Sequence, residues 1–154
     1  MIDPALRDLY QEVILDHGSN PRHFGVMKDA SHEAHGHNPL CGDLIHLFLK
    51  LDPEGRVEDI SFEGKGCAIS IASASMMTDL LLGKKVDDAR ALAIAFYRMA
   101  RGEAVATNAA PDDMERLDVM SGISQFPMRV KCATLAWHTF ESAFEPKGTK
   151  ARSE

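Results

Sequence analysis

The chain has 154 residues, 45% hydrophobic and 26% charged, with 11 glycines and 7 prolines; this suits one domain with its own core and excludes disordered, collagen-like and coiled-coil classes. Seventeen Lys and Arg against 23 Asp and Glu leave a formal charge of -6, so no overall positive field favours phosphates, and nucleic acid is not expected as a partner. No apolar run approaches the roughly 20 residues that cross a bilayer, and Met1-Ile2-Asp3-Pro4 lacks the basic and apolar stretches of a secretory signal, so no membrane association and a cytoplasmic location are expected.

Asp3 and Pro4 read as the N-cap and first residue of a helix, with Leu6, Leu9, Tyr10, Val13 and Ile14 at helical spacing. His17 is placed to complement the helix dipole, and Gly18 stands where a terminating glycine belongs. Ser19-Asn20-Pro21 breaks the helix, and a loop follows to Asp29 with Phe24 and Val26 as anchors. The period then changes. Ile45, Leu47, Leu49 and Leu51 share one parity, Asp52-Pro53-Glu54-Gly55 is a turn, and 57–62 returns as a second strand, with 30–37 expected as a third.

After Gly64-Lys65-Gly66 the pattern is helical over 67–82, 86–101, 112–120 and 128–144, punctuated by Gly83, Gly102, Pro111 and Pro127. Strands followed by helices predict an α+β fold, a small antiparallel sheet of about three strands covered on one face by helices. Residues 1–145 form one domain on this reading, and 146–154, without an apolar residue larger than Ala, are expected to be a mobile tail.

Three cysteines, an odd number, do not suggest a disulfide framework, and in a reducing compartment metal binding or thiol chemistry is the more natural use. In Asn38-Pro39-Leu40-Cys41-Gly42-Asp43, alternate residues of an extended segment share a side, so Cys41 and Asp43 can face one point. Cys67 follows two glycines at a helix start, where the dipole favours a thiolate. Cys132 opens the final helix beside Arg129 and Lys131, which lower the cost of a thiolate.

Taken singly, each cysteine also suits a small buried hydrophobe. Together with Asp43 they form a three-sulfur, one-oxygen set that suits zinc and would also hold iron. With a dication its net charge is about -2, which Lys65, Arg129 and Lys131 can offset. His32, His35 and His37 lie close in sequence, but no carboxylate or cysteine stands at a matching spacing, so they read as exposed strand or loop histidines. Met76-Met77 and Leu80-Leu81-Leu82 read as helix core, and Phe126-Pro127-Met128 as a hydrophobic staple or a docking surface.

The chain resembles the iron–sulfur assembly proteins of the IscU/NifU N-terminal type, most closely their SufU branch. The resemblance runs from Leu9-Tyr10-x-x-Val13-Ile14-x-Asp16-His17 and Asn20-Pro21-Arg22, through Asn38-Pro39-Leu40-Cys41-Gly42-Asp43 and Gly64-Lys65-Gly66-Cys67-Ala68-Ile69-Ser70, to Arg129-Val130-Lys131-Cys132-Ala133-Thr134-Leu135. Two departures from the cluster-scaffold branch point to SufU: Lys131 stands where that branch has a histidine, and the stretch between the second and third cysteines is longer. The resemblance implies zinc held by Cys41, Asp43, Cys67 and Cys132. It further implies that Cys41 accepts sulfur from a cysteine desulfurase of the SufS type and passes it to a downstream iron–sulfur cluster assembly complex.

Two alternatives use the same ligands: a scaffold that builds an iron–sulfur cluster in place of zinc, and a structural zinc protein acting only as an interaction module. The missing histidine before Cys132 argues against the scaffold. The glycine-flanked Cys41 argues against a closed structural site.

Overall fold

A computed structural model describes residues 4–39, 42–104, 111–145 and 151–152. Helix α1 (Pro4–Ser19) leads into strands β1 (His32–Asn38), β2 (Asp43–Leu51) and β3 (Val57–Lys65). Helices α2 (Ala68–Leu81), α3 (Val86–Ala100) and α4 (Pro111–Leu117), a 3₁₀ segment (Asp118–Gln125) and helix α5 (Pro127–Ser142) follow, and Ala151–Arg152 form a two-residue β4. The order across the sheet is β3-β2-β1-β4, antiparallel among the first three. The α+β expectation holds, with three antiparallel strands and five α-helices among the described residues.

Several boundaries differ from the sequence reading. Helix α1 runs through Gly18 to Ser19, and the Asn20 N–H still donates to the Asp16 carbonyl at 2.8 Å. The helix expected over 112–120 ends at Leu117 and tightens into the 3₁₀ segment. Of the expected tail, Ala151–Arg152 are described, parallel to Gly36–His37 of β1, and the rest lies outside the described residues. Among the described residues no helix is long and apolar enough to cross a membrane.

One face of the sheet carries the core. Alternation places Ala34, Ile45, Leu47, Leu49, Ile60 and Phe62 against the helices, all buried. Helix α5 lies across β1 and β2, α2 packs between α5 and α1, and α3 packs on α5 and the 3₁₀ segment. The fully buried Trp137 stacks on Phe96 with centroids 4.7 Å apart, and its indole N–H donates to Ser73 Oγ at 3.1 Å, satisfying its polar atom inside the core. Met76, Met77, Leu80 and Leu81 are core as expected, while Leu82 is exposed.

The approach of α5 to β1 depends on the absence of a side chain at Gly36. A Cβ there would run into Thr139 Oγ1 and come within 3.1 Å of Leu135 Cδ1. Thr139 cannot turn away without cost, because its hydroxyl donates to the Leu135 carbonyl at 2.7 Å. Gly36→Ala is therefore expected to destabilise the fold by about 1–3 kcal/mol, the usual cost of overpacking. Urea unfolding should show a lower midpoint at unchanged slope, partly restored in the Gly36→Ala/Thr139→Ala double variant.

Candidate metal centre

The core face of the sheet ends in polar residues. Asn38 and Asp43 pair across the β1–β2 hairpin and are buried, 0% and 1% exposed, where an apolar side chain would otherwise continue the core. Gly42, at φ +72, closes the connection, with its N–H donating to the Asn38 carbonyl at 2.8 Å; the left-handed backbone there suits glycine. The first residue of β2 thus enters the interior as a carboxylate.

The two glycines before Cys67 have separate tasks. A Cβ at Gly64 would strike the Leu44 carbonyl, so this glycine lets β3 close on β2. A Cβ at Gly66, at φ +155, would strike the Asp43 carboxyl. The space left at Gly66 brings the Cys67 N–H to Asp43 Oδ1 at 3.0 Å. Cys67 is the N-cap of α2, with extended backbone, and its Sγ accepts from the Ser70 N–H at 3.4 Å. A sulfur in this position faces the unpaired N–H groups and the positive end of the helix dipole.

Cys132 lies in the second turn of α5, 4% exposed, near the Asn38 amide, Nδ2 to Sγ being 4.0 Å. Burial, and then the neighbouring Cys67 and Asp43, push its thiol well above the usual cysteine range. One donor atom from each of Asp43, Cys67 and Cys132 lies within 4.8 Å of the others, close enough for one tetrahedral ion. Asp43 Oδ2 is buried without a hydrogen-bond partner among the described residues, although a buried carboxylate oxygen ordinarily has one. Two sulfurs and a buried carboxylate oxygen with no donor among the described residues form a pocket that a divalent cation suits.

Three of the four residues singled out in the sequence are therefore brought together, from β2, the start of α2 and α5. Cys41 lies outside the described residues. Lys65 and Arg129 are exposed and Lys131 is half-buried, so the charges expected to offset the site are at its surface. The sequence reading assigned no role to Asn38 or Ser70. The buried strand-end Asn and the Cys67-x-x-Ser70 cap spacing were the available signals.

His17 does not act as a dipole cation. It is 9% exposed, its Nδ1 lies 2.7 Å from Ser75 Oγ, and burial holds its pKa below the ordinary value. The same Ser75 hydroxyl accepts from the Arg22 N–H at 2.8 Å, which fixes the Asn20-Pro21-Arg22 turn on α2. Phe126 and Met128 are exposed, 57% and 45%, at the start of α5.

The family model for the NifU-like N-terminal domain matches residues 9–133. The chain belongs to this family. It is 44% identical over 136 residues to the zinc-dependent sulfurtransferase SufU of Bacillus subtilis (strain 168), covering 88% of this chain and 89% of that protein. It is 41% identical over 140 residues to the iron–sulfur cluster assembly scaffold protein IscU of Streptococcus pyogenes serotype M1, covering 91% and 85%. The crystal structure of FiSufU from Fervidobacterium islandicum AW-1, described as a candidate SUF-system scaffold for iron–sulfur cluster assembly, superimposes with a TM-score of 0.76 at 32% identity, covering 89% and 97%. The chain is thus a member of the iron–sulfur cluster assembly family that holds both IscU and SufU names, at similar distances from each.

The Gly66 geometry yields a direct expectation. Gly66→Ala should cost about 1–3 kcal/mol in urea unfolding, and it should speed hydrogen exchange at the Cys67 amide by loosening its bond to Asp43. Gly122→Ala in the 3₁₀ segment, whose Cβ meets open space, should leave Cys67 protection unchanged.

Proposed function

We propose that this protein is a zinc-dependent sulfur carrier that takes persulfide sulfur from a cysteine desulfurase of the SufS type and delivers it for iron–sulfur cluster assembly. The observation that carries the reading is the convergence of Asp43, Cys67 and Cys132 around a buried carboxylate oxygen with no hydrogen-bond donor among the described residues. Cys41, two residues before Asp43 in sequence, completes the proposed ligand set. The name of the Bacillus subtilis relative supports the zinc and the sulfur transfer. Lys131, in place of a histidine before Cys132, supports the same branch.

Zinc, when bound, supplies the charge that keeps the cysteine sulfurs ionised near neutral pH. The chain's own residues divide the remaining work. The Cys67 amide orients the Asp43 carboxylate, the helix N-terminus holds the Cys67 sulfur, and burial fixes Cys132. These three are anchored in a strand or a helix, which leaves the cysteine of the β1–β2 connection to receive sulfur. The Cys41 thiolate attacks the terminal sulfur of the desulfurase persulfide. A new S–S bond forms on Cys41, the S–S bond of the donor breaks, and the electron pair leaves on the desulfurase cysteine as thiolate, so no external oxidant is needed.

The name of the Streptococcus pyogenes relative favours a second reading, a scaffold on which the cluster itself is built. Metal content and desulfurase turnover separate the two. Protein purified in air should carry one zinc per chain and stimulate the desulfurase, whereas iron–sulfur absorbance with little zinc would support the scaffold. Chelation should lower the melting temperature by on the order of 10 °C, since saturation at about 1,000 times Kd adds about 4 kcal/mol at roughly 2–4 °C per kcal/mol. Asp43→Ala should weaken zinc binding and keep the sulfur acceptor, while Cys67→Ala and Cys132→Ala should lose both metal and activity.

The acceptor is tested by chemistry rather than by activity. After incubation with desulfurase and cysteine, alkylation without reductant and peptide mass mapping should place the added sulfur first on Cys41, and Cys41→Ser should carry none. Sulfur arriving first on Cys67 or Cys132 would make Cys41 a ligand alone.

A further inference from the structure

The sheet face turned away from the helices carries a row that the metal centre does not use. Alternation puts Glu33, His35 and His37 of β1, Leu44 and His46 of β2, and Glu63 and Lys65 of β3 on this side. In the strand register His35 stands opposite His46, and His46 stands opposite Glu63. One row across three strands thus reads His, His, Glu. Residues directly opposite have Cβ atoms about 4.5–5.5 Å apart, a span that two side chains bridge to one ion.

Local contacts support a ligand role. The His35 and His46 rings lie 4.0 Å apart, centroid to centroid, with 26° between their planes. His46 Nε2 lies 2.9 Å from Glu33 Oε1, the arrangement in which a carboxylate holds one ring nitrogen and the other is left to bind metal. The row lines an open pocket of about 580 Å³ together with His37, Leu44 and Lys65. The Glu63 carboxylate lines the pocket with Lys65, and Glu33 stands beside it on His46.

We propose that His35, His46 and Glu63 bind a second divalent transition-metal ion, such as Zn²⁺, Ni²⁺ or Co²⁺, on the sheet face opposite Asp43. Two imidazoles and a carboxylate are a donor set these ions accept. Glu33 is the positioning residue, acting on His46 through Nε2. The rings lie face to face, so binding requires these side chains to turn their donor atoms toward one ion, a motion open to surface side chains. The site therefore binds after rearrangement and more weakly than the cysteine centre, whose donors already converge. The inference is independent of the sulfur-transfer reading.

Calorimetric titration with Zn²⁺ tests it on the wild-type chain and on the Cys67→Ala/Cys132→Ala variant. The wild type should show a tight step and a weaker second step, and the cysteine variant should keep the weaker one. His35→Gln, His46→Gln and Glu63→Gln should each lower the affinity of the weaker step by about tenfold or more, since even outer partners of a metal site cost that much. Glu33→Gln, the loss of such an outer partner, should lower it by about tenfold, and the tight step should be unchanged in all four. As a second readout, Ni²⁺ should broaden the ring signals of His35 and His46 in the NMR spectrum before those of His17 and His138. Absence of a weaker step, or one unchanged in both His35→Gln and His46→Gln, overturns the proposal. Loss of the tight step alone would instead count against the cysteine centre.

Discussion

The Asp43 carboxylate takes its hydrogen bond from the Cys67 N–H at 3.0 Å, and because Cys67 caps α2, that contact ties the first residue of β2 to the start of a helix. A buried carboxylate is costly unless it is paired, and here one oxygen has a donor and the other has none among the described residues. The arrangement is held by its surroundings: Gly66 leaves room for the carboxyl, Gly64 lets β3 reach β2, and Gly42 turns the chain into the strand. Each glycine answers a separate steric demand within one short stretch of space.

The third element of the centre comes from far along the chain. Helix α5 reaches Cys132 into the site because it lies close over β1, which Gly36 permits, and because Trp137 and Ser73 lock it to α2. Core packing and site geometry are therefore one problem. The row Gly36, Ile45 and Gly64 across the sheet is small, large, small, and the next pair along it, Asn38 and Asp43, replaces the apolar core with polar groups where the cysteines converge.

The two faces of the sheet treat charge differently. On the helix-covered face, burial and then the neighbouring Cys67 and Asp43 push the Cys132 thiol up, so a cation has the most to offset there. On the open face, water screens Glu33, Glu63 and Lys65, and the imidazoles stack on each other with their donors unconverged. The same period-2 alternation produces both, since Asp43 and His46 differ in parity along one strand.

Much of this was legible in the sequence. Alternation at Ile45, Leu47 and Leu49, helical spacing after Gly66, and the junction positions of Asp43, Cys67 and Cys132 sufficed for the α+β class and for the proposed ligands, because local periodicity and turn chemistry decide those features. Residues 1–145 as one domain remain a proposal on the same basis. Tertiary structure decided what depends on register and on contacts between distant segments. His17 turned inward to Ser75 because α1 packs on α2, which spacing within α1 cannot show. His35 stands in one register row with His46 and Glu63 only through the pairing of three strands, so histidines that lacked a matching carboxylate along the chain have one opposite across the sheet. Which side chains share a face is written in the sequence, but which of them stand opposite one another is set by the register that burial of the core selects.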